Sequence, residues 1–230
     1  MTDWYKIKRV LIWQGWVEKQ IYPAGWKPWT NTIAYYPLKE DFNDHKWTWT
    51  SYNLTNNGWS ITTFNWVPCA YYSGSTSVYS INTSISFWTT RTIVFWGYLL
   101  NTGTAPVVWT GIYSYNSLST RAVWYWGSKA SISNYQNYWM DGTSNVYWKW
   151  VNIVWISDWS KMELYVNWQL EASWSNTLYA WSQLKIWWRL WGMWSEYFTW
   201  YVNEIILEDK AWTTQEVLDY YNFTKSTYGL

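Results

Sequence analysis

The sequence predicts an all-β protein, two antiparallel sheets packed face to face as a sandwich, with one short helix near the C-terminus. Three observations predict it. Short runs of β-branched and aromatic residues recur with turn residues between them, as at 92–96 (TIVFW), 151–156 (VNIVWI), 162–166 (MELYV) and 201–207 (YVNEIIL). Polarity is carried by Ser, Thr, Asn and Tyr while only 13% of residues are charged, the composition of strands with hydroxyl-rich outer faces. No long amphipathic helical pattern appears before Thr213.

Taken in order, residues 1–30 stand apart. Residues 7–12 (IKRVLI) suit a strand, but the Pro-containing stretch 21–28 does not continue it, and the segment reads as an N-terminal attachment. Residues 31–230 read as one sandwich domain of ten to twelve strands, with no linker-like tract and no internal repeat. Further runs lie at 107–108, 121–126 and 184–186. The helix starts at a capping box, Thr213-Thr214-Gln215-Glu216, in which hydroxyl and carboxylate each accept from the other residue's backbone N–H. Val217 and Tyr221 then share a face at i, i+4. Trp96, Trp150, Ile153, Leu164, Val166, Ile186, Val202 and Ile205 are expected in the core.

Tryptophan is out of proportion. The chain has 28 Trp and only 11 Gly. Asn65-Trp66, Asp158-Trp159 and Asn167-Trp168 fall between strand-like runs, where a tight turn prefers Asn-Gly or Asp-Gly. A two-residue I′ turn needs positive φ at both residues, which glycine adopts at no steric cost and tryptophan does not. Many of these tryptophans are therefore expected to be glycines in the living organism, through a code that reads UGA as Gly. Trp66, Trp159 and Trp168 should lie exposed at turns, some at positive φ. The alternative is a chain that is Trp-rich by nature. Trp96, Trp124 and Trp150 sit inside apolar strand runs and read as true tryptophans.

From about Thr32 onward the order of motifs resembles the laminin-G-like, concanavalin A-like lectin superfamily. Residues 34–38 (AYYPL) and 41–44 (DFND) are similar to its opening strand and acidic loop, and 150–154 (WVNIV) to its tryptophan-led central strand. Residues 163–170 (ELYVNWQL) resemble its LYVNG hairpin, departing from it at Trp168. Residues 184–188 (LKIWW), 198–207 (FTWYVNEIIL) and 213–218 (TTQEVL) are similar to the strands and helix that close it. The resemblance implies a jelly-roll sandwich and a binding role, often towards glycans. It carries no particular ligand, because one fold hosts many functions.

Chemistry-bearing clusters are few. Sixteen basic residues against 15 acidic give no electrostatic case for nucleic acid. No run approaches the 18 apolar residues of a membrane span, and the first fifteen residues hold no signal-like apolar stretch. Cys69 is the single cysteine, so there is no internal disulfide, and His45 the single histidine, so a zinc cluster or a Ser-His-Asp triad has little to build on; His45 reads as a solvated loop residue. Glu204 and Glu208 share a strand face, but four residues separate them by ~13 Å, whereas glycosidase pairs need about 5–9.5 Å. Asp41, Asn43 and Asp44 offer oxygen ligands for calcium, against ordinary Asx-turn chemistry.

Tyr113, Tyr115, Arg121, Trp124, Tyr135 and Tyr138 combine flat apolar rings with hydrogen-bonding tips, the chemistry of a ligand-binding surface, with burial in the core as the alternative. The expected function is non-enzymatic recognition of a cell-surface glycan or glycoprotein, on a virion or tail appendage of a bacterial virus and within an oligomeric assembly. The alternatives are a bacterial surface adhesin, a decoration protein, or a hydrolase on the same fold.

Overall fold

A computed structural model describes residues 31–45, 52–54, 59–72, 80–82, 90–100, 110–114, 118–123, 129–134, 139–175, 184–186 and 199–230. For 72, 80–82, 110–114, 118–123, 131–134, 139, 184–186 and 199–200 it describes the backbone alone. Two antiparallel sheets and one C-terminal α-helix make up the fold, as the sequence predicts. The larger sheet runs β12 (Gln169–Trp174), β11 (Met162–Val166), β10 (Trp150–Ser157), β5 (Arg91–Leu100), β14 (Thr199–Glu208), β3 (Val67–Tyr72) and β2 (Ser60–Phe64). Strand β14 is long enough to serve two neighbours on one edge: its first half pairs β3 and its second half pairs β1 (Thr32–Tyr36). The smaller sheet runs β4 (Ser80–Asn82), β13 (Leu184–Ile186), β6 (Thr110–Ser114), β7 (Leu118–Val123), β8 (Lys129–Asn134) and β9 (Trp139–Asn145).

The described residues hold fourteen strands, more than the ten to twelve expected. Strands β4 (SIN), β8 (KASISN) and β9 (WMDGTSN) are built largely of small and polar residues, so hydrophobic periodicity does not reveal them. The expected strand at 107–108, the 124–126 end of another and the segment 1–30 lie outside the described residues.

The large sheet is buried on both faces, which is why β5 and β10 carry consecutive apolar residues at 93–96 and 153–156 rather than alternating ones. One face holds Ile93, Phe95, Ile153, Trp155, Leu164, Val166, Val202 and Ile205, packed with Ala130 and Val146 from the other side of the sandwich. The opposite face holds Val94, Trp96, Val154, Ile156 and Ile206 beneath the C-terminal helix. Of the expected core, Trp96, Trp150, Ile153, Leu164, Val166, Val202 and Ile205 are buried; the side chain of Ile186, on β13, lies outside the described residues. The sheets are also joined by a polar contact: the Glu171 carboxylate on β12 accepts from Thr143 N (2.7 Å) and Ser144 N (3.0 Å) on β9.

Helix α1 (Thr214–Thr224) begins at the expected capping box: Glu216 N donates to Thr213 Oγ1 (3.2 Å) and Thr213 N donates to Glu216 Oε2 (2.8 Å). Val217, Tyr220 and Thr224 face inward, Tyr221 is half-buried at the flank, and a 3₁₀ turn (Lys225–Tyr228) brings Tyr228 under the helix.

Two hairpins close with two-residue turns. Phe64 pairs Val67 around Asn65-Trp66, and Val166 pairs Gln169 around Asn167-Trp168. All four turn residues have positive φ (48°, 68°, 47° and 70°), the I′ signature. Trp159 lies in a different turn, from Asp158 to Lys161, ordered by Asp158 Oδ1 accepting from Ser160 N and Lys161 N. Trp66, Trp159 and Trp168 are all exposed, as the turn reading requires.

Candidate functional site

The outer face of the large sheet carries a row of rings set by strand register. Trp150 on β10 is opposite Tyr98 on β5, Tyr98 is opposite Tyr201 on β14, and Tyr201 is opposite Tyr71 on β3. Directly opposed residues share a sheet face, so the four rings form a line across four strands. Phe64, at the end of β2, folds onto it: its ring stacks on Tyr201 at 3.9 Å and 7°, and meets Tyr98 edge-on at 4.8 Å. Tyr71 and Tyr201 stack at 4.9 Å.

One end of the row is closed. Trp150 packs against Tyr98 and Tyr228, and Trp96 stacks on Tyr228 at 3.8 Å beneath α1. Beyond the helix the row opens, and Phe64, Tyr71, Tyr98 and Tyr201 each keep part of their surface in solvent. Burial, then the neighbouring Tyr71, Cys69 and Tyr98, raises the Tyr201 hydroxyl above its ordinary value, so it stays a neutral donor and acceptor. Flat apolar faces edged by hydroxyls suit a ligand with one apolar face and many hydroxyls.

A buried polar cluster fastens the helix that walls this row. A β-bulge between Val202 and Glu204 turns both Asn203 and Glu204 towards the helix side. Tyr220 Oη donates to Glu204 Oε2 (2.7 Å), Tyr228 Oη donates to Asn203 Oδ1 (2.5 Å), and Asn203 Nδ2 donates to Pro68 O (2.6 Å). Burial raises the Glu204 carboxyl above the usual range, against the opposing pull of Lys39's charge and of hydrogen bonds from Tyr220 and Tyr35. Glu208, also raised by burial, accepts from Trp212 Nε1 (2.7 Å) and Thr32 Oγ1 (2.8 Å). Both carboxylates are buried acceptors in the packing of the helix and of β1.

In the acidic loop, Asp44 is buried and accepts from Tyr35 N (2.9 Å) and Tyr52 N (3.1 Å). Asp41 accepts from Asn43 N (2.9 Å) and Asn43 Nδ2 (2.7 Å), and its Oδ1 lies 2.8 Å from His45 Nε2. Burial raises the Asp41 carboxyl, but the His45 and Asn43 hydrogen bonds outweigh it and hold the group below its ordinary value. His45 is therefore a partner of Asp41 rather than a merely solvated ring. Among the described residues no group of three or more His, Cys, Asp or Glu is placed to hold a metal ion.

Of the residues expected to bind ligand, Tyr113 lies on β6 and Arg121 on β7, where Arg121 pairs with Gly111, two residues from Tyr113. Their side chains, and Tyr115, Trp124, Tyr135 and Tyr138 altogether, lie outside the described residues. The sequence reading missed Phe64, Tyr71, Tyr98 and Tyr201. Each sits in or beside a strand-like run, but only the pairing across β2, β3, β14 and β5 reveals that they meet.

No family model and no curated protein matches this chain. Solved structures do match in fold. The binding domain of Paraclostridial Mosquitocidal Protein 1 superposes with a TM-score of 0.68 at 11% identity, over 85% of this chain and 53% of that one. Domain 4 of AbnA, a GH43 extracellular arabinanase from Geobacillus stearothermophilus solved with arabinotriose, matches at 0.64 and 14%, over 82% of this chain and 97% of that one. The botulinum neurotoxin serotype D ligand-binding domain, solved with N-acetylneuraminic acid, matches at 0.60 and 12%, over 84% and 50%. The chain thus spans about half the length of the toxin domains and nearly all of the arabinanase domain. At these identities the likeness is one of fold: a β-sandwich of the kind found in binding domains. No helix among the described residues is long and apolar enough to cross a membrane.

Proposed function

We propose that the chain is a non-enzymatic carbohydrate-binding module that recognises a cell-surface glycan. The open aromatic row of Phe64, Tyr71, Tyr98 and Tyr201 carries this reading. A sugar ring lays its apolar face against the solvent-facing parts of these rings, and the tyrosine hydroxyls bond its hydroxyls. Fold neighbours solved with arabinotriose and with N-acetylneuraminic acid support the ligand class. Tyr113, Tyr115, Arg121, Trp124, Tyr135 and Tyr138 are proposed as a second contact surface. The setting proposed is a virion or tail appendage of a bacterial virus, held in an oligomer through residues 1–30, in an organism or virus that reads UGA as glycine. Bacterial adhesin, decoration protein and hydrolase are the competing roles.

Single-site affinity on the order of 10 µM to 1 mM, equivalent to ~4–7 kcal/mol, becomes useful through avidity in such an assembly. The test is a glycan array followed by titration of the hits. Tyr201→Ala should weaken binding roughly tenfold or more, the loss typical of an anchoring aromatic, with the melting temperature reported alongside. Full binding by a folded Tyr201→Ala/Tyr98→Ala protein refutes this face as the site. If Tyr113→Ala/Arg121→Ala abolishes binding instead, the smaller sheet is the site. Release of reducing sugar from a host polysaccharide, abolished by Glu204→Gln, overturns the non-enzymatic reading.

A further inference from the structure

We infer that Trp66, Trp148 and Trp168 stand where the functional protein has glycine, whereas Trp96 and Trp212 are tryptophan in it. This rests on the proposed UGA reading and sorts the residues by backbone stereochemistry. Five non-glycine residues among those described have positive φ: Asn65, Asn167, Trp66 (68°), Trp148 (62°) and Trp168 (70°). Asparagine tolerates the left-handed region because its short side chain bonds locally. Here Asn167 Oδ1 is satisfied on the neighbouring strand, accepting from Asn152 N at 3.0 Å. A tryptophan Cβ has no such compensation, and a bulky residue there is an outlier.

Packing does not repay the strain. The three side chains are 96%, 57% and 40% exposed, respectively. Their backbones, in contrast, are fixed by the fold. Residues 66 and 168 close two-residue hairpins whose flanking pairs are in register, and Trp148 N donates to Leu99 O at 2.9 Å. Glycine satisfies all three positions and turns both hairpins into Asn-Gly I′ turns. Trp148 is the addition made by the structure, because no Asn or Asp precedes it to mark a turn in the sequence.

Trp96 and Trp212 are the opposite case. Trp96 is fully buried, and its Nε1 donates to Thr224 Oγ1 at 3.1 Å. Trp212 is buried too, and its Nε1 holds the buried Glu208 carboxylate. Glycine at either position opens a cavity under the helix. Two codons account for the two classes: UGG for the buried tryptophans and UGA, read as glycine by the host, for the left-handed ones. Trp159 needs no positive φ, so stereochemistry leaves it to the codon alone.

The gene decides first: UGA at 66, 148 and 168 with UGG at 96 and 212 is expected, and UGG at the three left-handed positions overturns the inference. Folding decides second. Relief of left-handed strain at Trp66→Gly, Trp148→Gly and Trp168→Gly should raise the folding equilibrium constant by roughly 5- to 30-fold each. Trp96→Gly and Trp212→Gly should lower the melting temperature sharply. A triple glycine variant no more stable than the tryptophan form overturns the stereochemical argument even if UGA codons are present. Neither readout involves sugar, so failure of the carbohydrate reading leaves both intact.

Discussion

Replacing Tyr220 by Phe removes one hydroxyl from the cluster that fastens α1 to the large sheet. The ring is fully buried and its Oη donates at 2.7 Å to Glu204, itself buried. Leaving a buried acceptor without its donor costs about 1–3 kcal/mol. For a domain of this size that lowers the melting temperature by roughly 2–12 °C. The pH dependence carries a sign. Burial raises Glu204 above its ordinary value of 4.5, so the folded protein keeps that proton to higher pH than the unfolded chain does. The stability contributed by this group is complete below pH 4.5 and is lost as pH rises through the raised folded value. Glu204→Gln keeps an acceptor for Tyr220 but does not ionise. It should flatten that decline without abolishing it, because Glu208 is raised in the same direction. Urea unfolding of the wild type, both single variants and the double variant across this range is the assay, and the double-mutant cycle isolates the pair. A Tyr220→Phe loss below about 0.5 kcal/mol, the scatter of ordinary surface substitutions, or an unchanged pH slope in Glu204→Gln, refutes the cluster as the fastening.

Two further outcomes follow from the loops. Thr213→Ala removes the reciprocal cap of α1 and should cost about 1 kcal/mol, read as a lower urea midpoint at unchanged m-value; no loss would mean the helix is held by its buried face alone. Calcium at millimolar concentration should leave the melting temperature unchanged, because Asp44 and Asp41 already accept from Tyr35 N, Tyr52 N, Asn43 and His45; a rise abolished by Asp44→Asn would restore the metal reading of Asp41, Asn43 and Asp44.

The sandwich was legible because its central strands are buried on both faces. Residues 93–96 and 153–156 are apolar throughout because both faces of these strands are buried. The cap was legible because it is local, with both partners within four residues. Strands β4, β8 and β9 were not, since serine, asparagine and other polar residues are spread along them and leave no apolar periodicity to read. The candidate face was illegible for a related reason. Tyr71, Tyr98 and Tyr201 are 27 and 103 residues apart along the chain, and no spacing rule connects them. Only the antiparallel register sets them side by side. Likewise the β-bulge at Asn203, which turns two consecutive residues towards one side, breaks the alternation from which sequence assigns faces.

Decoding and binding meet at one hairpin. Trp66 is almost wholly exposed and follows Phe64 by two residues, at the tip that brings Phe64 onto Tyr201. Protein made where this codon yields tryptophan therefore carries a free indole beside the proposed sugar face. Indoles stack on sugars readily, so such material can bind glycans through a group that the functional protein lacks. The rings of the row itself, Phe64, Tyr71, Tyr98 and Tyr201, are untouched by the ambiguity, since neither tyrosine nor phenylalanine shares the codon in question. Binding that depends on the row survives Trp66→Gly and falls with Tyr201→Ala. Binding that vanishes with Trp66→Gly alone belongs to the misread codon. Reading the two variants together is what separates a property of the fold from a property of its translation.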